Sequence, residues 1–264
     1  VLGNFYRQQK DTSKAEGAYL RAIDVSGNDI KPHMVTADFY ETTGDPDKAL
    51  SIYNRALELQ PDEIRVKHAI ARHYAKGRKL DEAEKQIAGI LAERPRYYPT
   101  QALKGELLVL RGKYAEAIEL FDQLIEEEPR SAQSFYYKGL SHVSLGETHV
   151  AKSALAKAIE LDPRSVKPGL LLADIHYREK DFELAQKQIE GVLKYQPDNY
   201  RARLILGNSL LNQGHHGKAE AIYTSLINSD PDNPTGYFRL GSLLRLSKKH
   251  DLALANFEKA LSIN

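Results

Sequence analysis

The chain has no cysteine and no tryptophan, and only one methionine among its 264 residues. Without cysteine there is no disulfide, no thiolate zinc site and no sulfur nucleophile. That suits a reducing cytoplasm and equally a disulfide-free bacterial periplasm, so the compartment stays open. Long apolar runs are also missing. The richest stretches, Leu107 to Leu110 and Leu170 to Ala173, are far shorter than a bilayer span, so no membrane insertion is expected of this segment. Charge of one sign is lacking as well: 37 lysines and arginines face 36 aspartates and glutamates. Nothing in that balance favours a nucleic acid or an anionic membrane surface as partner.

What is present is a period. Alanine returns every 34 residues at Ala15, Ala49, Ala83, Ala117, Ala151, Ala185, Ala219 and Ala253. Proline keeps the same step at Pro61, Pro95, Pro129, Pro163, Pro197 and Pro231. So does a small residue, at Gly3, Ala37, Ala71, Gly105, Gly139, Ala173, Gly207 and Gly241. A fixed period over the whole chain marks a stacked-repeat architecture. Such chains offer an extended surface to a partner more often than a pocket to a substrate.

One unit shows the physical logic. Ser131 stands where it caps a helix, and Phe135, Lys138, Gly139 and His142 then follow the spacing of one helical face. Gly146 breaks the run, and a second helix carries Ala151, Leu155 and Ala158 on one side. Pro163 ends it. Gly44, Gly112 and Gly214 share the place of Gly146; Asp11, Asp45 and Asp181 stand one place later and are expected to cap the second helix. Asp29, Ser165, Asn199 and Asn233 hold the place of Ser131. Gly139 and Ala151 belong where the two helices come closest. Tyr40, Tyr53, Tyr74, Phe121, Tyr223 and Phe257 fill the wider gaps.

The pattern resembles the tetratricopeptide repeat, whose motif is leucine, glycine and an aromatic, then alanine, an aromatic and proline. One unit reads Thr36, Ala37, Tyr40, Ala49, Tyr53, Ala56 and Pro61; the last reads Tyr237, Leu240, Gly241, Leu244, Ala253, Phe257 and Ala260. The family's tryptophan is absent, the first unit ends in Gly27-Asn28-Asp29 instead of proline, and His142 and His176 occupy the aromatic place. The resemblance implies an all-α, right-handed superhelical solenoid of stacked antiparallel helix pairs. It divides the chain into a partial repeat at 1–29, full repeats at 30–63, 64–97, 98–131, 132–165, 166–199 and 200–233, and a last repeat at 234–264. The whole is expected to be one solenoid, a fragment of a longer protein.

In that family the first helices line a concave groove that holds a peptide or a partner domain. The groove places here carry Met34, Asp38 and Glu41, then His68, Arg72 and Ala75, then Ala102, Glu106 and Val109. Further on they carry Tyr136, Leu140 and Val143; Leu170, Asp174 and Tyr177; Leu204, Asn208 and Leu211; and Phe238, Ser242 and Arg245. The early units are more polar and the later ones more apolar. Tyr136, Tyr177, Leu204 and Phe238 are the candidate anchors. Leu204, Leu211 and Val143 have an alternative reading, as packing between adjacent first helices. A rim of Lys31, Arg65, Lys167 and Arg201 reads as a solvated face. The clamp by which family members hold chaperone tails is not formed, since Arg239 stands where a second asparagine beyond Asn208 is required.

The chemistry of catalysis finds no footing. His68 and His73 do not share a helical face, and His215 and His216 fall in a turn. His142 and His176 hold equivalent places in adjacent units, but no carboxylate is evident beside them, so neither a metal nor a cofactor is expected. The chain therefore reads as a non-enzymatic interaction scaffold for a protein or peptide. The alternative is the scaffold region of a larger enzyme or of a bacterial envelope or exopolysaccharide export protein whose activity lies outside this segment. Leu2-Gly3-Asn4-Phe5-Tyr6 and the uninterrupted array suggest a bacterial chain. RNA binding by pentatricopeptide-type repeats is disfavoured by the step length and the charge balance. Phe257 and Leu261 in an uncapped final helix suggest end-to-end self-association.

Overall fold

A computed structural model describes residues 2–263, and among these residues every regular element is an α-helix. They run α1 (Leu2–Gln8), α2 (Thr12–Asp24), α3 (Lys31–Thr43), α4 (Pro46–Leu59), α5 (Ile64–Lys76), α6 (Leu80–Glu93), α7 (Tyr98–Leu110) and α8 (Tyr114–Glu127). Then follow α9 (Ala132–Ser144), α10 (Thr148–Leu161), α11 (Val166–Arg178), α12 (Phe182–Tyr195), α13 (Tyr200–Asn212), α14 (His216–Ser229), α15 (Pro234–Leu246) and α16 (His250–Ile263). None of these helices is long and apolar enough to cross a membrane. The chain forms two compact units, one up to Glu116 and one from Ala117 onward.

Within each unit the helices pack in single file. In the first, α1 to α7 each lie against the next, and α5 also touches α7. In the second, α9 to α16 do the same, with α9 against α11 and α11 against α13. The repeating alanines are the reason the pairs close up. Seven of the eight are 0 % exposed and Ala253 is 3 % exposed. The small residue on the first helix faces them. A methyl group added at Gly139 would lie 3.3 Å from the carbonyl oxygen of Ala151 and 2.9 Å from Cγ of Leu155. The larger side chains fill what remains: Tyr53, Phe121, Leu155, Ile189, Tyr223 and Leu226 are all fully enclosed. Each such burial contributes about 1.5–3 kcal/mol, and it comes from the neighbouring pair as much as from the residue's own. In the first unit Tyr19, Phe39 and Tyr40 form a ring contact chain, with centroids 5.0 and 5.4 Å apart.

The turn inside each pair has one geometry throughout. Gly44, Gly112, Gly146 and Gly214 take φ of +74 to +87°, and Lys10, Arg78, Lys180 and Lys248 take +59 to +67° at the same place. The residue after each donates its N–H five residues back, as Lys79 does to Tyr74 and Lys113 to Leu108 at 2.9 Å. This is the Schellman closure of the first helix. Half of these turns therefore use a left-handed basic residue where sequence reasoning found only glycine.

The caps follow the expected places with exceptions. Asp11 and Asp45 accept from the backbone N–H of Lys14 and Lys48. Ser131, Asn199 and Asn233 cap the first helices of their pairs, and Asp29 accepts from the N–H of Lys31. Ser165 and Asp181 make no side-chain cap. Neighbouring pairs are also stitched by ion pairs: Lys48 to Glu16 at 3.2 Å, Lys76 to Glu41 at 2.8 Å and Lys152 to Glu179 at 2.8 Å.

Candidate functional site

The groove places fall on one face of each first helix because three- and four-residue steps keep side chains in register on a helix. In the first unit Asp38 and Arg72 are exposed, and His68, Glu41 and Glu106 are partly covered. Arg7 Nη1 approaches Asp38 at 3.8 Å. The Glu41 side chain, 10 % exposed, is committed to α5: His73 Nδ1 lies 2.5 Å from Oε1 and Lys76 Nζ 2.8 Å from Oε2. Burial alone would raise the Glu41 pKa, and the hydrogen bonds from Lys76 and His73 outweigh it, leaving it below the ordinary value. His68 Nδ1 pairs with Thr100 Oγ1 at 2.9 Å, and its ring meets Tyr97 edge-on. Burial, with the charge of Arg72 adding to it, pushes its pKa down to about 4, so the ring is neutral at physiological pH. Ala75, Ala102 and Val109, expected on this face, are buried. Their short side chains lie where α5 and α7 pack together.

In the second unit the apolar candidates divide. Tyr136 and Val143 lean on the Ala151, Leu155, Leu172 and Ile175 cluster. Leu170 leans on the one around Ala173 and Ile189, and Leu204 and Leu211 on the one around Tyr223 and Leu226. These side chains thus take part in the packing, and only part of each remains uncovered. Leu140 is likewise partly covered. Phe238, by contrast, is 51 % exposed. It borders a recess of about 470 Å³ lined with Thr235, Arg239, Phe257 and Leu261. Arg245 is exposed on the same helix.

The polar members form short networks. Tyr223 Oη donates to Asn208 Oδ1 at 2.9 Å, and Asn212 Nδ2 donates to Tyr177 Oη at 3.1 Å. Asp174 pairs with Arg178 at 2.8 Å. Asn212 and Arg178 escaped sequence reasoning. Each lies directly after a groove place on its helix, and that adjacency was the available signal.

The two histidines considered as ligands differ. His142 is buried, with Nδ1 2.5 Å from Glu147 Oε2. His176 converges with Glu179 and Asp181, their ligand atoms all within 4.8 Å of one another. The expectation of no carboxylate beside these rings is thus overturned. Lys180, at φ +67°, folds the turn back so that residues on both sides of it flank the ring.

Two models of the tetratricopeptide repeat match the sequence, one over residues 1–64, 102–166, 170–234 and 206–264, the other over 40–107. The chain belongs to the tetratricopeptide repeat family. Among similar solved structures, PilF of Pseudomonas aeruginosa is 19 % identical and superposes with a TM-score of 0.63, over 76 % of this chain and 92 % of that one. YrrB, described as a TPR protein with an unusual peptide-binding site, is 18 % identical with a TM-score of 0.58, over 67 % and 92 %. A chain of the Cut9–Hcn1 complex of the APC/C is 14 % identical with a TM-score of 0.70, over 96 % and 50 %. At these identities the likeness is one of fold. No curated protein sequence matches the chain.

Proposed function

We propose that this tetratricopeptide repeat chain is a non-catalytic interaction scaffold that holds an extended segment of a partner protein along its first helices. One observation carries the reading. On helices whose other faces are spent on packing, Asp38, Arg72, Phe238 and Arg245 stay exposed at the repeating groove places. In the second unit, hydrogen-bonding side chains at such places are held by others, Asn208 by Tyr223 and Tyr177 by Asn212. Pre-positioned polar groups beside a few apolar anchors suit a peptide: the anchors supply contact area and the polar groups fix the register of its backbone. Within each unit the first helices start at or next to the places the 34-residue step predicts, which supports such a row in each. YrrB, the family member described by its peptide-binding site, is consistent with the same use.

The test is a selection of random displayed peptides on the intact chain, followed by fluorescence anisotropy of the recovered sequences. Arg72→Ala should weaken a peptide held by the first unit, and Phe238→Ala one held by the second, each about tenfold, which corresponds to roughly 1.4 kcal/mol. Val25→Ser, in an exposed turn, should leave it unchanged. Failure to select any peptide, or peptides indifferent to both substitutions, would remove the proposal.

A further inference from the structure

The turn between α11 and α12 departs from its neighbours in a way that has a chemical consequence. One repeat earlier, Nδ1 of His142 is paired with Glu147. His176 holds the place of His142, and Asp181 holds the place of Glu147. Aspartate is one methylene shorter, and His176 Nδ1 is buried without a hydrogen-bond partner. Glu179 Oε2 stands 3.9 Å from it, beyond hydrogen-bonding range. Asp181 is also unusual. The aspartates at its place in the first two pairs cap the following helix, whereas its own side chain makes no cap. An imidazole nitrogen and two carboxylates thus face a common point, with ligand atoms mutually within 4.8 Å.

We propose that His176, Glu179 and Asp181 bind a divalent transition metal ion of the zinc type, in competition with the ammonium group of Lys152. One imidazole with two carboxylates is a donor set that zinc and cobalt accept, and three protein ligands leave a position open for water or for a side chain of a bound partner. Metal–ligand bonds near 2.0–2.2 Å require the donors to draw together to somewhat under 4 Å. For two exposed carboxylates that is a side-chain adjustment. Lys152 Nζ now lies 2.9 and 2.8 Å from the two oxygens of Glu179. Its side chain is 30 % exposed, so it can leave for water when a metal takes the carboxylate.

The experiment is calorimetric titration of the untagged chain with Zn²⁺, repeated with Co²⁺ to read the visible absorption of the bound ion. One site is expected. Asp181→Asn and His176→Gln should each weaken it at least tenfold. The first of these removes no cap and so leaves the fold intact, as a circular dichroism melt will show. Lys152→Gln should strengthen binding several-fold, because it frees the Glu179 carboxylate and takes a positive charge away from the site. His215→Ala with His216→Ala should have no effect. The proposal is overturned by absence of binding at millimolar metal, by equal affinity in the Asp181 and Lys152 variants, or by loss of the site in the His215/His216 double variant.

Discussion

Replacing Arg78 with glycine should make the protein more stable although it deletes a whole side chain. Arg78 sits at φ +60° in the turn between α5 and α6. Its N–H bonds to Ala75 and that of Lys79 to Tyr74, at 3.2 and 2.9 Å, so the closure is made entirely by backbone and survives the change. A left-handed conformation costs a residue with a Cβ about 1–2 kcal/mol. Glycine removes that strain but releases more chain entropy on unfolding, about 0.4–1 kcal/mol in the other direction. The net gain is about 0.5–1 kcal/mol. For a chain of this size that moves the melting temperature up by roughly 2 °C. The mirror experiment is Gly112→Ala, at φ +74° with open space around its Cα, which should lose a similar amount. Thermal melts of the two variants beside the parent decide the matter. Because repeat arrays can unfold in parts, hydrogen exchange of the Lys79 amide supplies the local reading. If Arg78→Gly lowers stability, or Gly112→Ala raises it, the account of the turn is wrong.

Two further outcomes follow from the packing and the partly buried imidazole of His68. Gly207→Ala places a methyl group 2.6 Å from Cε1 of Tyr223 and 3.1 Å from Cγ2 of Ile222; a melt should show a loss of about 1–3 kcal/mol, the usual penalty of overpacking. His68 accepts a proton at about 4 in the fold against 6.5 for the unperturbed side chain, so its neutral form contributes full stability above pH 6.5. That contribution is lost as pH falls through the window down to 4, because the unfolded chain binds the proton first. His68→Gln, which still offers Thr100 a hydrogen bond, should flatten urea midpoints across that window, and a histidine resonance titrating near 6.5 in its place would refute the assignment.

The helical, repeating character of the chain was legible because it rests on local chemistry repeated many times. Proline, the small residue and the alanine each have one steric job, and the first helices begin at Ile64, Tyr98, Ala132, Val166, Tyr200 and Pro234 as the period requires. The left-handed turn was half legible. Glycine announces it, whereas Lys10, Arg78, Lys180 and Lys248 adopt it under the pull of the five-residue closure, which no propensity for lysine or arginine would suggest. The groove places were legible as positions but not as surfaces. Whether Leu204 or Ala102 is covered depends on how the next first helix lies over it, and spacing within one helix does not carry that information. The cluster at His176 was missed for the same reason as Lys180: the turn that assembles it is a conformation, not a composition.

The alanine seam has one mechanical consequence. Each hairpin is a plate in a pile, and its thickness is set where Gly139 or Gly241 meets the opposite backbone. A plate thickened by one atom tilts the plates resting on it. Between Tyr177 and Asn212 such a tilt would register as a stretched hydrogen bond, so damage at the hidden hinge of a pair is transmitted to the spacing of the outward-facing row.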